Sequence, residues 1–310
     1  MKTLVHIIFN PVAGGGKAKK LKSQLVSELE RRFGKNYLLM ETSRQGDAII
    51  FAREAAEGGA RIIIAVGGDG TINEVINGLI GNRKPVNDQC ELGIVNCGSG
   101  SGVAQTLGLP GSISDQLNLI CKSAAKVMDV GFVTYKDRND RCCERLFISE
   151  CQVGIGGSVV SRVGMKLKHF GGRIAFGLVA LSHLFHYKAS QMTMTLDQQP
   201  AESKKLIGVT IGNGIYCAGG MRLTPGGRTD DGLLDVLQIH EMNLLKRFLN
   251  FGKVYAGSHI HSNYFSISKV KEISIDSEQP VWIESDGELL GKTPCTVGII
   301  PGAMKIRYKE

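Results

Sequence analysis

Five consecutive apolar residues, Ile62 to Val66, run into Gly67-Gly68-Asp69-Gly70-Thr71, after which Ile72, Val75, Ile76, Leu79 and Ile80 share one helical face. A strand that passes through glycines into a helix leaves backbone N–H groups free to meet an anion. A strand this apolar belongs in a parallel sheet covered on both faces. The pattern recurs twice. Leu4 to Phe9 ends in Asn10-Pro11 and Gly14-Gly15-Gly16-Lys17, before Leu21, Leu25, Leu29 and Phe33 at helical spacing. Leu92 to Val95 ends in Cys97-Gly98-Ser99-Gly100-Ser101-Gly102. Open α/β sheets bind ligands at the carboxyl ends of their strands. Residues 1–130 are therefore predicted to form a three-layer, Rossmann-like α/β domain with three loops turned to one ligand.

Each loop has its own chemistry. Thr71 with Glu74 three residues later is a capping-box pattern that sets the helix start. Asp69 facing phosphates would repel them unless a cation lay between, and magnesium supplies that cation. Lys17 offers a point charge to a phosphate. The first loop is not a Walker A motif, because Pro11 stands at its first glycine and Ala18 follows Lys17 where Ser or Thr is required. Gly98 permits close backbone approach, and Ser99 offers a hydroxyl to a phosphate or ribose.

Near Lys126 to Gly131 the strand–helix alternation stops. Arg145–Ile148, Gln191–Leu196, Leu206–Ile211, Leu233–Ile239, Lys271–Ile275 and Val281–Glu284 then read as short strands between turns. Residues 131–299 are predicted to be a β-rich, sandwich-like domain, interrupted by helical stretches at Gly172–Tyr187 and Met242–Phe251. Within it, Asp230-Asp231-Gly232 precedes a strand and fits either an Asx-type turn or a magnesium site of one carboxylate and nearby carbonyls. Asp286-Gly287 fits a hairpin turn, and Glu288 after it is a candidate acceptor for a hydroxyl proton if that turn faces the phosphate loops.

Composition narrows the partners. With 37 Lys and Arg against 29 Asp and Glu the net charge is +8, which favours anionic ligands. The cations are dispersed with little aromatic interleaving, so no nucleic-acid partner is expected. Eight cysteines without C-x-x-C spacing point to reduced thiols and a cytoplasmic location. Met1 to Phe9 is too short for a signal-peptide core and reads as a strand. The apolar stretch Ile174 to Phe185 falls short of the roughly 20 residues that span a bilayer, so a lipid would be met from the water side, transiently at the inner membrane surface. Phe170, Ile174, Phe176, Leu178, Leu181, Leu184 and Phe185 read as core or as the lining of an acyl pocket, and Lys166 to Arg173 as a basic contact with an anionic membrane surface or as charge that keeps the protein soluble.

Taken in order, Asn10-Pro11 with Gly14 to Lys17, GGDGTINE (Gly67 to Glu74), GSGSGVAQTLG (Gly98 to Gly108), DDGLLDV (Asp230 to Val236) and DGEL (Asp286 to Leu289) resemble the catalytic-domain superfamily of diacylglycerol kinases, sphingosine kinases and bacterial soluble lipid kinases. The resemblance implies an NAD kinase-like amino domain, a carboxyl β-sandwich whose last strand, within 300–310, returns to the first domain, and an ATP- and magnesium-dependent lipid kinase acting on a diacylglycerol-like or sphingoid hydroxyl. It further implies that Asn10, Lys17, Thr42, Gly67, Gly68, Asp69, Gly70, Thr71, Asn73, Glu74, Gly98 and Ser99 meet ATP. Asp69 would also join the phosphate and magnesium network, Asp231 with the carbonyls of Arg228 and Leu233 would hold magnesium, and Glu288 would take the proton. The chain departs from the family pattern at Ser101-Gly102, where Asn is usual, at Glu150, where Asn is common, and at Gly157, where relatives carry Asp. A kinase for a soluble acceptor such as NAD and a non-catalytic nucleotide-binding regulator are the competing readings. The lipid and the oligomeric state, a homodimer included, stay open.

Overall fold

The structure is a computed structural model describing residues 4–98, 102–137, 139–168, 186–217 and 219–308, with 163–168 given by their backbone alone. The chain divides into two compact units, Met1–Asp129 with Gly302–Glu310, and Val130–Pro301.

The first unit contains β1 (Val5–Phe9), α1 (Lys17–Lys20), α2 (Lys22–Phe33), β2 (Tyr37–Glu41), α3 (Asp47–Glu57), β3 (Ile62–Gly67), α4 (Asp69–Leu79), a small hairpin of β4 (Ile80–Gly81) and β5 (Lys84–Pro85), β6 (Glu91–Asn96), α5 (Gly102–Thr106) and α6 (Ile113–Lys122). Its sheet is parallel throughout, in the order β2-β1-β3-β6, and Lys305 and Ile306 add a further parallel strand outside β6. Ile7, Ile8, Ile63, Ile64, Ala65 and Val66 are all fully buried, as central strands covered on both faces require. On one face Leu25 and Leu29 of α2 and Leu117 and Ile120 of α6 close the core. On the other, α3 and α4 approach closely through small residues. A Cβ on Gly78 would lie 2.4 Å from the Ile49 carbonyl oxygen and 2.6 Å from the Ala52 Cβ.

The chain then forms β7 (Ala125–Lys136), β8 (Cys142–Phe147), β9 (Glu150–Gly154), α7 (Ile155–Lys168), β10 (Ser190–Leu196), β11 (Glu202–Gly212), β12 (Leu234–His240), α8 (Leu244–Ala256), a 3-10 turn (Ser258–His261), β13 (Phe265–Val270), β14 (Glu272–Ser277), β15 (Trp282–Ser285) and β16 (Glu288–Arg307). In the second unit β12 lies along one edge of β11, while the other edge pairs first with β10 and then with β9. Gly154, at φ +100, marks where these branches part, since a Cβ there would sit 2.8 Å from the Ile207 carbonyl oxygen. One branch continues β10-β14-β16 and the other β9-β15-β16. Phe147, Val153, Met192, Met194, Ile211, Val236, Ile275, Ile283 and Val297 pack as the core of this unit. The α/β and β-rich characters are those the sequence predicts.

Several local expectations are corrected. The capping box does not form: α4 starts at Asp69 after Gly68, with no side-chain cap, because Thr71 and Glu74 bond to other loops. Ile80 leaves the helix and opens β4. The helix expected at Met242–Phe251 runs Leu244–Ala256, capped by Asn243 and stopped at Gly257 with φ +74. Strands β2, β4, β5, β7, β9 and β13 and helices α1, α3, α5, α6 and α7 are additions. Phe170 to Phe185 and Arg173, with the acyl-pocket reading, lie outside the described residues, and Lys166 and Lys168 are placed by backbone only. No described helix is long and apolar enough to cross a membrane, and all eight cysteines are free thiols.

Candidate active site

Two groups of the predicted residues assemble, one in each unit. In the first unit the parallel strands deliver their loops to the carboxyl edge of the sheet. Three successive glycines, Gly14, Gly15 and Gly16, all have positive φ and turn the chain sharply after Asn10-Pro11. Asn10 holds the loops together: its Nδ2 donates to Thr71 Oγ1 at 2.9 Å, its Oδ1 accepts from the Val12 amide, and its own N–H donates to the Val66 carbonyl. A Cβ on Gly14 would come within 2.5 Å of the Cys97 carbonyl oxygen, and one on Gly98 within 3.0 Å of the Gly68 Cα. The glycines are therefore needed for loop-to-loop approach as well as for turning.

Asp69 is half-buried in the first turn of α4, and its Oδ2 accepts the Gly102 N–H at 3.0 Å, tying the second loop to α5. Buried Glu74 accepts the Gly46 N–H at 3.0 Å. Asn73 accepts from the Asn77 amide one turn on. Thr42 follows β2 and donates its N–H to Phe9. Sequence reasoning missed the rest of this fourth loop. Asp47 accepts from the backbone of Ser43, the Ser43 hydroxyl, and the backbone and side chain of Arg44, and these bonds hold its pKa down to about 2. Burial pushes the Cys97 thiol up, while the nearby Lys17 charge pulls it the other way. Lys17 is itself exposed at the start of α1, and Gly70 is exposed in α4. Ser99 lies outside the described residues, as does Ser101. The half-exposed carboxylate of Asp69 fits a cation that arrives with a bound triphosphate.

In the second unit Asp231 Oδ1 accepts the Leu233 N–H at 3.1 Å around Gly232, φ +70, which makes the turn of Asx type. Its Oδ2 accepts from Lys269 Nζ at 2.8 Å. Lys269 stands directly across from Asp235 in the β12–β13 register and bonds it too, at 3.1 Å. Burial raises the Asp235 pKa, and Lys269 opposes the rise. Burial also works against the Lys269 ammonium, but its bonds to Asp231 and Asp235 carry its pKa upward. Arg228 pairs with Asp230 at 3.1 Å. A structural magnesium fits this set poorly. It would have one carboxylate, whose oxygens already meet an amide and an ammonium, and the dication would sit against Lys269. Among the described residues no group of three or more His, Cys, Asp or Glu could hold a metal ion. In this structure Lys269 meets the Asp231 carboxylate, to which, with Arg228 and Leu233, the sequence assigned a cation. Magnesium added to metal-free protein is expected to leave Tm unchanged. Lys269→Met should lower Tm by about 2–6 °C, since it strands the buried Asp235. A parent stabilised by magnesium in a thermal scan would restore the metal site.

Asp286 and Gly287, at φ +46 and +79, form the hairpin turn between β15 and β16. The Asp286 carboxylate accepts the N–H groups of Ile148, Ser149 and Glu150 at 2.8, 2.9 and 3.2 Å, and its own N–H donates to the Glu150 carbonyl. Glu288, next along, is partly exposed and pairs with Arg145 of β8 at 2.8 Å. Two neighbours were not legible as site residues. Buried Asn213 donates to the carbonyls of Ile148 and Ser149, and Glu284, 2% exposed, accepts the Gly287 N–H. Glu150 is 6% exposed. Burial pushes the Cys151 thiol well up, and the charges of Glu284, Asp286 and Glu150 beside it add to the rise. Only the Gly212-Asn213-Gly214 turn signal hinted at Asn213.

Both units match known domains. The diacylglycerol kinase catalytic domain matches residues 4–133, and the YegS C-terminal NAD kinase beta sandwich-like domain matches residues 150–308. A diacylglycerol kinase of Staphylococcus haemolyticus is 28% identical over 294 residues, which cover 95% of this chain and 84% of that protein. The crystal structure of a diacylglycerol kinase from Bacillus anthracis str. Sterne aligns with a TM-score of 0.73 at 25% identity, covering 99% of this chain and 97% of that one. An NAD kinase from Archaeoglobus fulgidus, in complex with ATP, shares the fold at a TM-score of 0.54 and 13% identity, covering 99% and 94%.

Proposed function

The chain belongs to the family that joins the diacylglycerol kinase catalytic domain to the YegS C-terminal NAD kinase beta sandwich-like domain, and on that premise we propose that it is a lipid kinase that transfers the γ-phosphoryl group of ATP to a hydroxyl of a diacylglycerol-like or sphingoid lipid. The observation that carries the reading is the meeting of three glycine-rich loops at one edge of the parallel sheet, through Asn10–Thr71, Asp69–Gly102 and the glycine contacts at Gly14 and Gly98. Backbone N–H groups of Gly68 to Thr71 and the Lys17 ammonium meet the phosphates, where fixed donors stabilise charge that shifts during transfer. Thr42, Asn73, Glu74 and the third loop, Ser99 included, shape the nucleotide side.

In the transfer the lipid oxygen forms a bond to the γ-phosphorus as the bond to the β–γ bridging oxygen breaks, and ADP leaves with that electron pair. The hydroxyl proton passes to the Glu288 carboxylate, which Arg145 holds in place. Magnesium bound with ATP would offset the charge of the phosphates, with Asp69 the carboxylate of this chain suited to face it. Protein incubated with labelled ATP, magnesium and mixed micelles of diacylglycerol or a sphingoid base, with NAD in the water phase, is expected to put label in the lipid extract. Label on NAD alone, or on no acceptor, would sink the proposal.

A further inference from the structure

Helix α8 is built inside out. Its inward face carries Arg247, Asn250 and Val254, all buried, and Arg247 anchors it by donating to the carbonyls of Met242 at 3.0 Å and Tyr187 at 2.7 Å. Its outward face carries Leu244, Leu245, Phe248, Leu249 and Tyr255, at 51, 68, 56, 59 and 45% exposure. Among the described residues eleven large apolar side chains are exposed, and five of them are on this one helix. Single exposed apolar residues are ordinary, but a contiguous row of them marks a surface that something covers.

Charge says what covers it. From Met242 to Lys271 the sequence holds no Asp or Glu, and of its five Lys or Arg, Arg247 is buried and Lys269 pairs with Asp231 and Asp235, while Lys246, Lys253 and Lys271 are exposed. Lys246 and Lys253 are exposed on the helix, with the Lys246 ammonium 4.6 Å from the Tyr264 ring centroid. A second copy of the chain docked through the same face would bring like charges together, whereas an anionic bilayer surface satisfies both the apolar row and the lysines. We propose that α8 is an interfacial helix, seating the protein on an anionic membrane with Leu244, Leu245, Phe248 and Leu249 at the acyl boundary and Lys246 and Lys253 among the headgroups. The proposal deepens the lipid-kinase reading, on which its purpose rests, by naming the surface through which this chain reaches its substrate.

The test is vesicle sedimentation without ATP, so that binding is read apart from turnover. The parent is expected to sediment with phosphatidylcholine vesicles containing phosphatidylglycerol, and several-fold less with phosphatidylcholine alone or at high salt. Leu245→Ser with Phe248→Ser should cut partitioning by about tenfold to a hundredfold. Both side chains are exposed, so the thermal unfolding of this variant should match the parent's. Undiminished sedimentation of the double variant overturns the proposal, as does equal binding to neutral and anionic vesicles. A parent dimer that the double variant splits while vesicle binding persists overturns it in favour of a self-association face. Turnover on detergent micelles separates the two readings. Helix-dependent vesicle binding by a protein that phosphorylates no lipid supports the surface and removes the kinase reading. A lipid kinase whose vesicle binding ignores the double variant keeps its activity and loses this surface.

Discussion

Glu288→Gln is expected to lower kcat by about two to four orders of magnitude while the Kd for ATP stays within about twofold. The proposed role of Glu288 is to take a proton from the acceptor hydroxyl, and glutamine keeps the size and one oxygen while losing the basicity. That role lies on the acceptor hydroxyl and not on the nucleotide, so binding should not follow turnover down. The ion pair with Arg145 offers a purely structural account, with side chains 17% and 25% exposed. Arg145→Met separates the two. If Glu288 only balances Arg145, both variants should lose stability and turnover together. If it accepts the proton, Arg145→Met should cost stability but far less turnover. Weaker ATP binding with unchanged kcat at saturation would refute the assignment.

Asp286→Ala is expected to destabilise the fold by about 3–5 kcal/mol, read as a shift in the urea midpoint at constant slope. The carboxylate takes three N–H groups from the turn between β8 and β9, and hydrogen bonds to a charged acceptor are worth about 1.5–3 kcal/mol each before sharing is discounted. Part of the loss comes from the backbone, because Asp286 sits at φ +46, where alanine is strained by about 1–2 kcal/mol. Asn tolerates that conformation, so Asp286→Asn isolates the hydrogen-bond share and should fall between parent and alanine variant. Equal midpoints for all three proteins would show that the turn holds without the carboxylate. The hairpin reading of Asp286-Gly287 holds and is compatible with the proposed role of Glu288, which follows directly after the turn.

The strands β1, β3 and β6 were legible because a strand covered on both faces must be apolar along its length. Edge strand β2, Tyr37-Leu38-Leu39-Met40-Glu41, has no fully buried residue and so gave no such signal. β16 was hidden by its length and by Pro294 and Pro301, which in sequence look like interruptions. The Thr71–Glu74 capping box failed through tertiary competition. The residues that would have capped α4 locally were worth more to the other loops, where Thr71 accepts from Asn10 and Glu74 accepts from Gly46. The end of α8 was misplaced because Gly252 resembles a stop while Gly257 is the one that turns left-handed. In the candidate site, residues set in contiguous motifs could be read, whereas Lys269 could not. It lies 38 positions beyond Asp231, and only the β12–β13 register brings its ammonium there.

Because Lys305 and Ile306 complete the parallel sheet of the first unit, that unit is assembled from pieces of chain separated by the whole of the second. On the ribosome the outer edge of β6 must wait while residues 130–301 are made, roughly 10–30 s at ordinary translation speed. An unpaired parallel edge left waiting invites wrong partners. Ile306 is fully buried and Arg307 bonds Glu91 and the Ile120 carbonyl, so arrival of this short segment both seals that edge and locks α6 beside it. The earlier-synthesised unit is in this way the later one to finish folding.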